Sequence, residues 1–185
     1  MVSNISDKDI IRGMKNPEFI NLKFNYFMII EYRNLLPDES KAYRRIRLES
    51  LKEFPEAFSA TYQETLNVEK LTLENDIENQ AANKFVHGVF AHHELIGICT
   101  FVKSDENTGN IYQMYVQKGS QGKNIGLNLV HSAIKEAIKR YGNLEICLEV
   151  SVYNLQAKNF YLKAGFEQIQ QVENSSDILM KYKGL

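Results

Sequence analysis

The chain is sparing with the residues that usually announce a site or a compartment. Among 185 residues there are two cysteines, Cys99 and Cys147, far apart and each inside a strand-like apolar run. Small buried thiols are the ordinary use of such cysteines, so neither a disulfide framework nor a cysteine nucleophile is expected. The four histidines show no metal-ligand spacing: His92 and His93 are adjacent in a turn, His87 lies in a strand pattern, and His131 is on the polar side of a helical one. No metal is expected. No apolar run approaches the ~20 residues of a membrane-spanning helix, so no membrane partner is expected. The opening M-V-S-N-I-S-D-K-D lacks the basic-then-apolar order of a secretory signal, which leaves the cytoplasm as the default location. Neither sign of charge dominates, with 22 Lys+Arg against 23 Asp+Glu. The global basic field that draws a protein to nucleic acid is therefore missing. What remains is a chain of 44% hydrophobic residues, enough for one domain with a substantial core.

Residues 1–26 show no sustained period and contain the turn K-N-P at Lys15–Pro17. They are expected to form a flexible extension, with residues 27–185 as a single domain. The apolar run Phe27–Ile30 suits a first strand. After the helix-start signal Pro37-Asp38-Glu39-Ser40, Tyr43, Ile46, Arg47, Ser50, Leu51 and Phe54 recur at helical spacing until Pro55. A second helical region is expected over Leu66–Asn79. Between them, Pro55–Glu64 is unusually aromatic for a loop; Phe58 and Tyr62 either plug the core edge or wall a pocket. Lys84–Ala91 and Leu95–Lys103 read as strands joined by a tight turn, and Ile111–Gln117 as another. Leu127, Leu129, Val130, Ala133, Ile134, Ala137 and Ile138 mark one face of a helix that Gly142-Asn143 closes. Leu144–Val150 is the next strand. Gln156–Ala164 is a short helix with Gly165 as its left-handed terminator, and Phe166–Val172 with Asp177–Tyr182 form a closing hairpin. This order, β-α-α-β-β-β-α-β-α-β-β, implies a mixed sheet with helices on both faces.

Two segments carry chemistry. Gly119, Ser120, Gly122, Asn124 and Gly126 fall just before a helix. A tight turn there aims backbone N–H groups inward, and the helix N-terminus adds positive potential, so a pyrophosphate fits without a basic side chain. Lys123 can add a cation at the rim. Taken alone, such a turn is an ordinary strand-to-helix connection. Dinucleotide-fold glycine spacing and a Walker lysine-serine ending are both missing, which counts against those nucleotide sites. The second segment is N-x-x-A-x-x-x-Y-x-x-x-G-F, Asn154 to Phe166. Ala157 and Tyr161 follow Asn154 on one helical face, and the small Ala157 permits close approach by a ligand. Tyr161 alone would be read as a packed amphipathic side chain. Glu149 interrupts the apolar run Leu144–Val150; solvent exposure or a lysine partner is its ordinary reading.

Taken in order, Q-G-K-N-I-G at Gln121–Gly126 and N-x-x-A-x-x-x-Y-x-x-x-G-F resemble the GNAT superfamily of acetyl-CoA-dependent N-acetyltransferases, whose turn reads Q/R-x-x-G-x-G/A. Asn124 stands where the middle glycine is usual, a mild departure because asparagine tolerates positive φ. Lys118 replaces a common proline. The longer stretch from L-E-V at Leu148–Val150 through Phe166 is similar to bacterial ribosomal-protein N-terminal acetyltransferases. The resemblance implies an α/β fold with a mixed, mostly antiparallel sheet of about six to seven strands. It implies two parallel strands, Ile111–Val116 and Leu144–Val150, that splay apart and free backbone N–H groups. Acetyl-CoA would be held by Met114, Tyr115, Val116, Gln121, Gly122, Lys123, Asn124, Ile125, Gly126, Asn154, Ala157 and Tyr161, and the acetyl group passed to a primary amine of a small molecule or peptide. Tyr161 would be the general acid and Glu149 the general base, with Glu64 as the rival base. Phe58, Tyr62 and Glu64 would line the acceptor pocket. The alternative is a non-catalytic acyl-CoA-binding or regulatory domain on the same fold. A homodimer is the expected assembly, being the commonest one among soluble oligomers.

Overall fold

The computed structural model describes residues 29–171 and 175–184. The expectations for 1–26, for Phe27–Met28 and for Val172 lie outside the described residues. Seven strands form one sheet: β1 (Ile30–Asn34), β2 (Lys84–Ala91), β3 (Glu94–Lys103), β4 (Thr108–Val116), β5 (Glu145–Ser151), β6 (Phe166–Gln171) and β7 (Asp177–Tyr182). The helices are α1 (Ser40–Glu53), α2 (Tyr62–Asn67), α3 (Thr72–Glu78), α4 (Ile125–Tyr141) and α5 (Leu155–Lys163). The sheet order is β1-β2-β3-β4-β5-β7-β6, and every pairing is antiparallel except β4 with β5.

A sheet covered on both faces needs strands apolar on both, and β2 and β3 are buried along most of their length. On one face, α1 and α3 bury Tyr43, Ile46 and Ile77 with Val86, Phe90, Ile98 and Tyr115. On the other, α4 buries Leu129, Val130, Ala133, Ile134 and Ala137 against Val89, Cys99, Phe101, Ile146 and Leu148. Each face is a separate core, so the sheet is sandwiched and its central strands are fixed in register.

The structure differs from expectation in four places, of which one is the start of β4 at Thr108, three residues before the expected Ile111. The first strand is Ile30–Asn34, displaced toward the C-terminus from the apolar run. The single helix expected over Leu66–Asn79 is two short ones, and α2 begins inside the supposed loop at Tyr62. Arg44 explains the break: its Nη2 donates to the carbonyls of Leu66 and Val68 at 3.2 and 2.6 Å, taking over acceptors that a continuing helix would have used. Ile138, expected on the buried face of α4, is largely exposed. Ala137 and Tyr141 at the same end still pack on the sheet, so Ile138 marks the edge of the buried stripe.

Candidate functional site

Strand β4 is the element that makes the site. It pairs with β5 only at Thr108↔Glu145, Gly109↔Ile146 and Asn110↔Cys147; from Ile111 to Val116 it runs on without a partner on that side. The cause is visible on its other edge. Thr100 faces Tyr112 and Ile98 faces Tyr115, so β4 advances three residues while β3 advances two. The extra residue forms a bulge in which Gln113 takes φ +51°. Such a bulge bends a strand and sharpens its twist, here carrying β4 away from β5. Tyr43 of α1 pins the bulge by donating from its hydroxyl to Gln113 Oε1 at 2.9 Å. The edge β4 presents to the gap is a row of backbone groups without a strand to pair with.

The gap leads to the turn between β4 and α4. Gln121 Nε2 donates to the Val116 carbonyl at 2.8 Å, tying the turn to the strand's end. Gly122 takes φ +90°, and Asn124 is the N-cap of α4 with φ +57°, the left-handed conformation that asparagine tolerates. The N–H of Asn128 is bonded to the Asn124 carbonyl at 2.9 Å. The N–H groups of Ile125, Gly126 and Leu127 precede it in the first helical turn, where no intrahelical acceptor exists, so they are open to an anion. A Cβ on Gly126 would lie 3.1 Å from Met114 Cε and 3.4 Å from Phe160 Cε2, so the absence of a side chain there keeps the floor open.

Between these elements lies a groove of about 440 Å³. It is lined by Phe54, Ala57 and Phe58 at one end, by Met114–Val116 of β4, by Gln121, Gly122 and Asn124–Leu127, and by Asn154, Gln156, Ala157, Phe160 and Lys163. Asn154 caps α5, its Oδ1 accepting from the Ala157 N–H at 3.0 Å. Of the residues expected to hold the cofactor, Met114, Tyr115, Val116, Gln121, Gly122, Asn124, Ile125, Gly126, Asn154 and Ala157 line this groove; Lys123 and Tyr161 do not.

Tyr161 packs behind the wall. Its ring meets Phe160 at 5.2 Å and Phe166 at 5.7 Å between centroids, both edge-on. Burial, with a smaller contribution from the nearby Cys99, pushes its phenol above the ordinary value of 10.0. Glu149 is exposed on β5 and faces away from the α4 core that holds Leu148 and Val150. Its charge is felt by Tyr112 on β4, whose phenol is raised by burial first and by Glu149 second. No contact joins Tyr161 to Glu149 among the described residues. Glu64 stands outside the groove and is engaged as a cap: its carboxylate accepts from Thr61 N–H and Oγ1 at 3.2 and 2.8 Å, while Thr61 Oγ1 accepts from the Glu64 N–H at 3.2 Å. Those bonds hold its carboxyl below the usual range. Phe58 lines the groove; Tyr62 does not.

The wall also contains residues that sequence reasoning did not assign to a site: Phe54, Ala57, Leu127, Gln156, Phe160 and Lys163. Phe160 is three residues beyond Ala157, and helical spacing alone would have placed it there. Cys99 is fully buried with its thiol pushed up to about 12, and Cys147 is buried too; both are free. Among the described residues, no cluster of three or more His, Cys, Asp or Glu is arranged to hold a metal ion, and no helix is long and apolar enough to cross a membrane.

The family described as Acetyltransferase (GNAT) family matches residues 46–166. Among solved structures, the chain is similar to the PaiA N-acetyltransferase from Thermoplasma acidophilum in complex with coenzyme A. The two are 26% identical with a TM-score of 0.71, over 85% of this chain and 100% of that one. An acetyltransferase of the GNAT family from Streptococcus pneumoniae shares the fold at 18% identity and TM-score 0.60, over 83% and 98% of the two chains. So does RimL, a ribosomal L7/L12 alpha-N-protein acetyltransferase in complex with coenzyme A, at 13% identity and TM-score 0.61, over 82% and 92%. Comparison with curated proteins gives no match. A strand splayed beside a phosphate-ready turn, within a matched region spanning most of the chain, shows that this protein belongs to the GNAT family of acetyltransferases and is an acyl-CoA-dependent acyltransferase.

Proposed function

We propose that the protein transfers the acetyl group of acetyl-CoA directly to a primary amine, with both substrates bound at once. The observation that carries this reading is the unpaired run of β4 opposite β5, which opens into a groove ending at the α4 turn. The pyrophosphate would rest on the N–H groups at the start of α4, and the pantetheine would lie along Met114–Val116 as though it were the missing strand. The thioester oxygen would take a backbone N–H of β4, a donor fixed before the reaction begins.

The chemistry follows from what an amine needs. A lysine-like amine at pH 7 is mostly protonated, a deficit of ~4.6 kcal/mol that a base must recover. Glu149 is our candidate for this work, directly or through water; its exposure on β5, on the face opposite the α4 core, supports the choice. Glu64 is the weaker candidate because its carboxylate caps α2 and is off the groove. The neutral amine attacks the thioester carbon, forming the C–N bond and an oxyanion held by β4. The C–S bond then breaks and the thiolate takes a proton from Tyr161; the second proton of the nitrogen passes through water to restore that phenol, and the proton first collected by the base goes to solvent. The raised phenol keeps its own proton in place throughout the neutral range. Tyr161 stands one ring behind the wall, against Phe160.

The test is a turnover screen with acetyl-CoA against polyamines, amino acids, aminoglycosides and peptide N-termini, reading released thiol. Transfer to at least one class is expected. Coenzyme A binding without turnover on any of them would assign the chain to the non-catalytic acyl-CoA-binding class.

A further inference from the structure

Arg47 has the surroundings of a ligand-binding group rather than of a structural one. It lies on the inner face of α1 and is 6% exposed. The other described arginines are either paired or in solvent: Arg33 with Glu39, Arg44 with Glu74, Arg140 with Glu136, and Arg45 exposed. Arg47 has no carboxylate partner among the described residues. Its guanidinium lies over the Phe58 ring, 4.4 Å from the centroid, and makes a single long hydrogen bond of 3.4 Å to Ser50 Oγ. Ser50 gives its own proton to the Arg47 carbonyl at 2.7 Å. A guanidinium carries five N–H donors, so most of its capacity is unused. Burying a cation without a counter-charge is costly, and here the loss of solvent pulls its pKa down.

Its place in the fold says what could satisfy it. One turn earlier, Tyr43 reaches Gln113 at the bulge of β4. Farther along α1, Glu49 and Glu53 approach the Tyr115 hydroxyl at 2.8 and 3.0 Å. Arg47 lies between these anchors along α1, whose Tyr43, Glu49 and Glu53 reach the run of β4 that has parted from β5. The ring beneath it, Phe58, belongs to the groove wall with Phe54 and Tyr115. Glu149 stands on the same side of the sheet. A cation at α1 and an anion on β5 thus face the region where the acceptor must come.

We infer that the acceptor is an amino carboxylate, whose carboxylate pairs with Arg47 while its amine lies toward Glu149. This rests on the acetyltransferase reading above and narrows its acceptor. A planar guanidinium pairs a carboxylate through two parallel hydrogen bonds, so removing the carboxylate leaves it unpaired again. That asymmetry makes discrimination large.

The experiment compares matched acceptors, lysine with cadaverine and ornithine with putrescine, in the full-length protein with acetyl-CoA. For the carboxylated member, kcat/KM should be higher by about 100-fold or more. Arg47→Gln should erase that preference by raising KM for the amino acid, with the KM for acetyl-CoA and the affinity for coenzyme A unchanged. Arg47→Lys should restore part of it. Equal or better use of the diamine by the wild type overturns the inference while leaving acetyl transfer intact, as does a preference that survives Arg47→Gln. If no amine turns over although coenzyme A binds, the acetyltransferase reading fails separately. Calorimetry of lysine against cadaverine on the coenzyme A complex then decides the Arg47 anchor without catalysis, tighter lysine supporting it and equal affinity overturning it. Should Arg47→Gln not fold, judged by melting and coenzyme A affinity, the wild-type pairs and Arg47→Lys decide the matter by the same comparison.

Discussion

Tyr161 and Glu149 are the residues on which turnover is expected to depend, and the structure gives each a distinct signature. Tyr161→Phe keeps the ring that packs on Phe160 and Phe166, so coenzyme A affinity should persist. With the proton donor gone, kcat should fall by about 10²–10⁴-fold where chemistry limits the rate. Because burial raises the phenol above 10.0, its acid form is present across the whole neutral range. The rate should therefore show no descending limb from Tyr161 below that value. The low-pH limb belongs to the base, and Glu149→Gln should shift or flatten it. Glu64→Gln should leave it in place, since that carboxylate is spent on Thr61. A flattened limb in Glu64→Gln alone would reverse the assignment. At this scale the sequence revealed less than its motif suggested. It marked Asn154 and Ala157, which line the groove, but Phe160 fills the wall position beside Tyr161, and only the packing of α5 against β6 turns the phenol inward. Arg47 read as one more member of a helical face; nothing in the spacing said that its charge would go unpaired.

The turn before α4 is a backbone device, and that decides which substitutions should matter there. Gly126→Val would drive a branched side chain toward Met114 and Phe160, and Gly122→Val would place a β-branched residue at φ +90°. Both should weaken coenzyme A binding far more than Lys123→Ala, whose side chain is exposed and off the groove wall. Calorimetric dissociation constants for the three variants check this, and a larger loss for Lys123→Ala would mean that a side-chain cation, not the backbone, holds the phosphate. Elements were legible wherever their period was long. The helical faces of α1 and α4 stood out because apolar positions repeat over several turns. The pair α2 and α3 was not, because its break depends on Arg44, distant in sequence, reaching the carbonyls of Leu66 and Val68. The bulge of β4 was equally hidden: a bulge alters register by one residue and leaves the alternation around it almost intact. Yet it creates the gap that the family resemblance implied.

Across the whole molecule, the sheet and its α4 layer are joined by a polar chain as well as by apolar packing. His87 of β2 is buried between Asn34 of β1 and Ser132 of α4, with Nδ1 2.7 Å from Asn34 Oδ1 and Nε2 2.8 Å from Ser132 Oγ. Asn34 donates through Nδ2 to Glu136 at 2.8 Å, which fixes its oxygen toward the imidazole. His87 therefore donates from Nδ1 and accepts from the Ser132 hydroxyl at Nε2, a neutral tautomer with both nitrogens satisfied. A second proton would displace the serine's donation and charge a buried ring, and burial lowers the pKa from 6.5 to about 4. The unfolded chain, with His87 at its ordinary value, binds a proton first as the pH falls. Stability from this group is thus complete above pH 6.5 and is lost as the pH drops through 6.5 toward 4. Between pH 7.5 and 5 the loss should be about 2 kcal/mol in excess of that from other groups. Urea unfolding at those two pH values, in wild type and His87→Gln, isolates it, because the remaining titrating groups cancel in the difference. The variant should start less stable at pH 7.5 and lose less on acidification. Equal losses in both proteins would mean that His87 binds its proton as readily in the folded chain as in the unfolded one, and that its burial does not couple stability to pH.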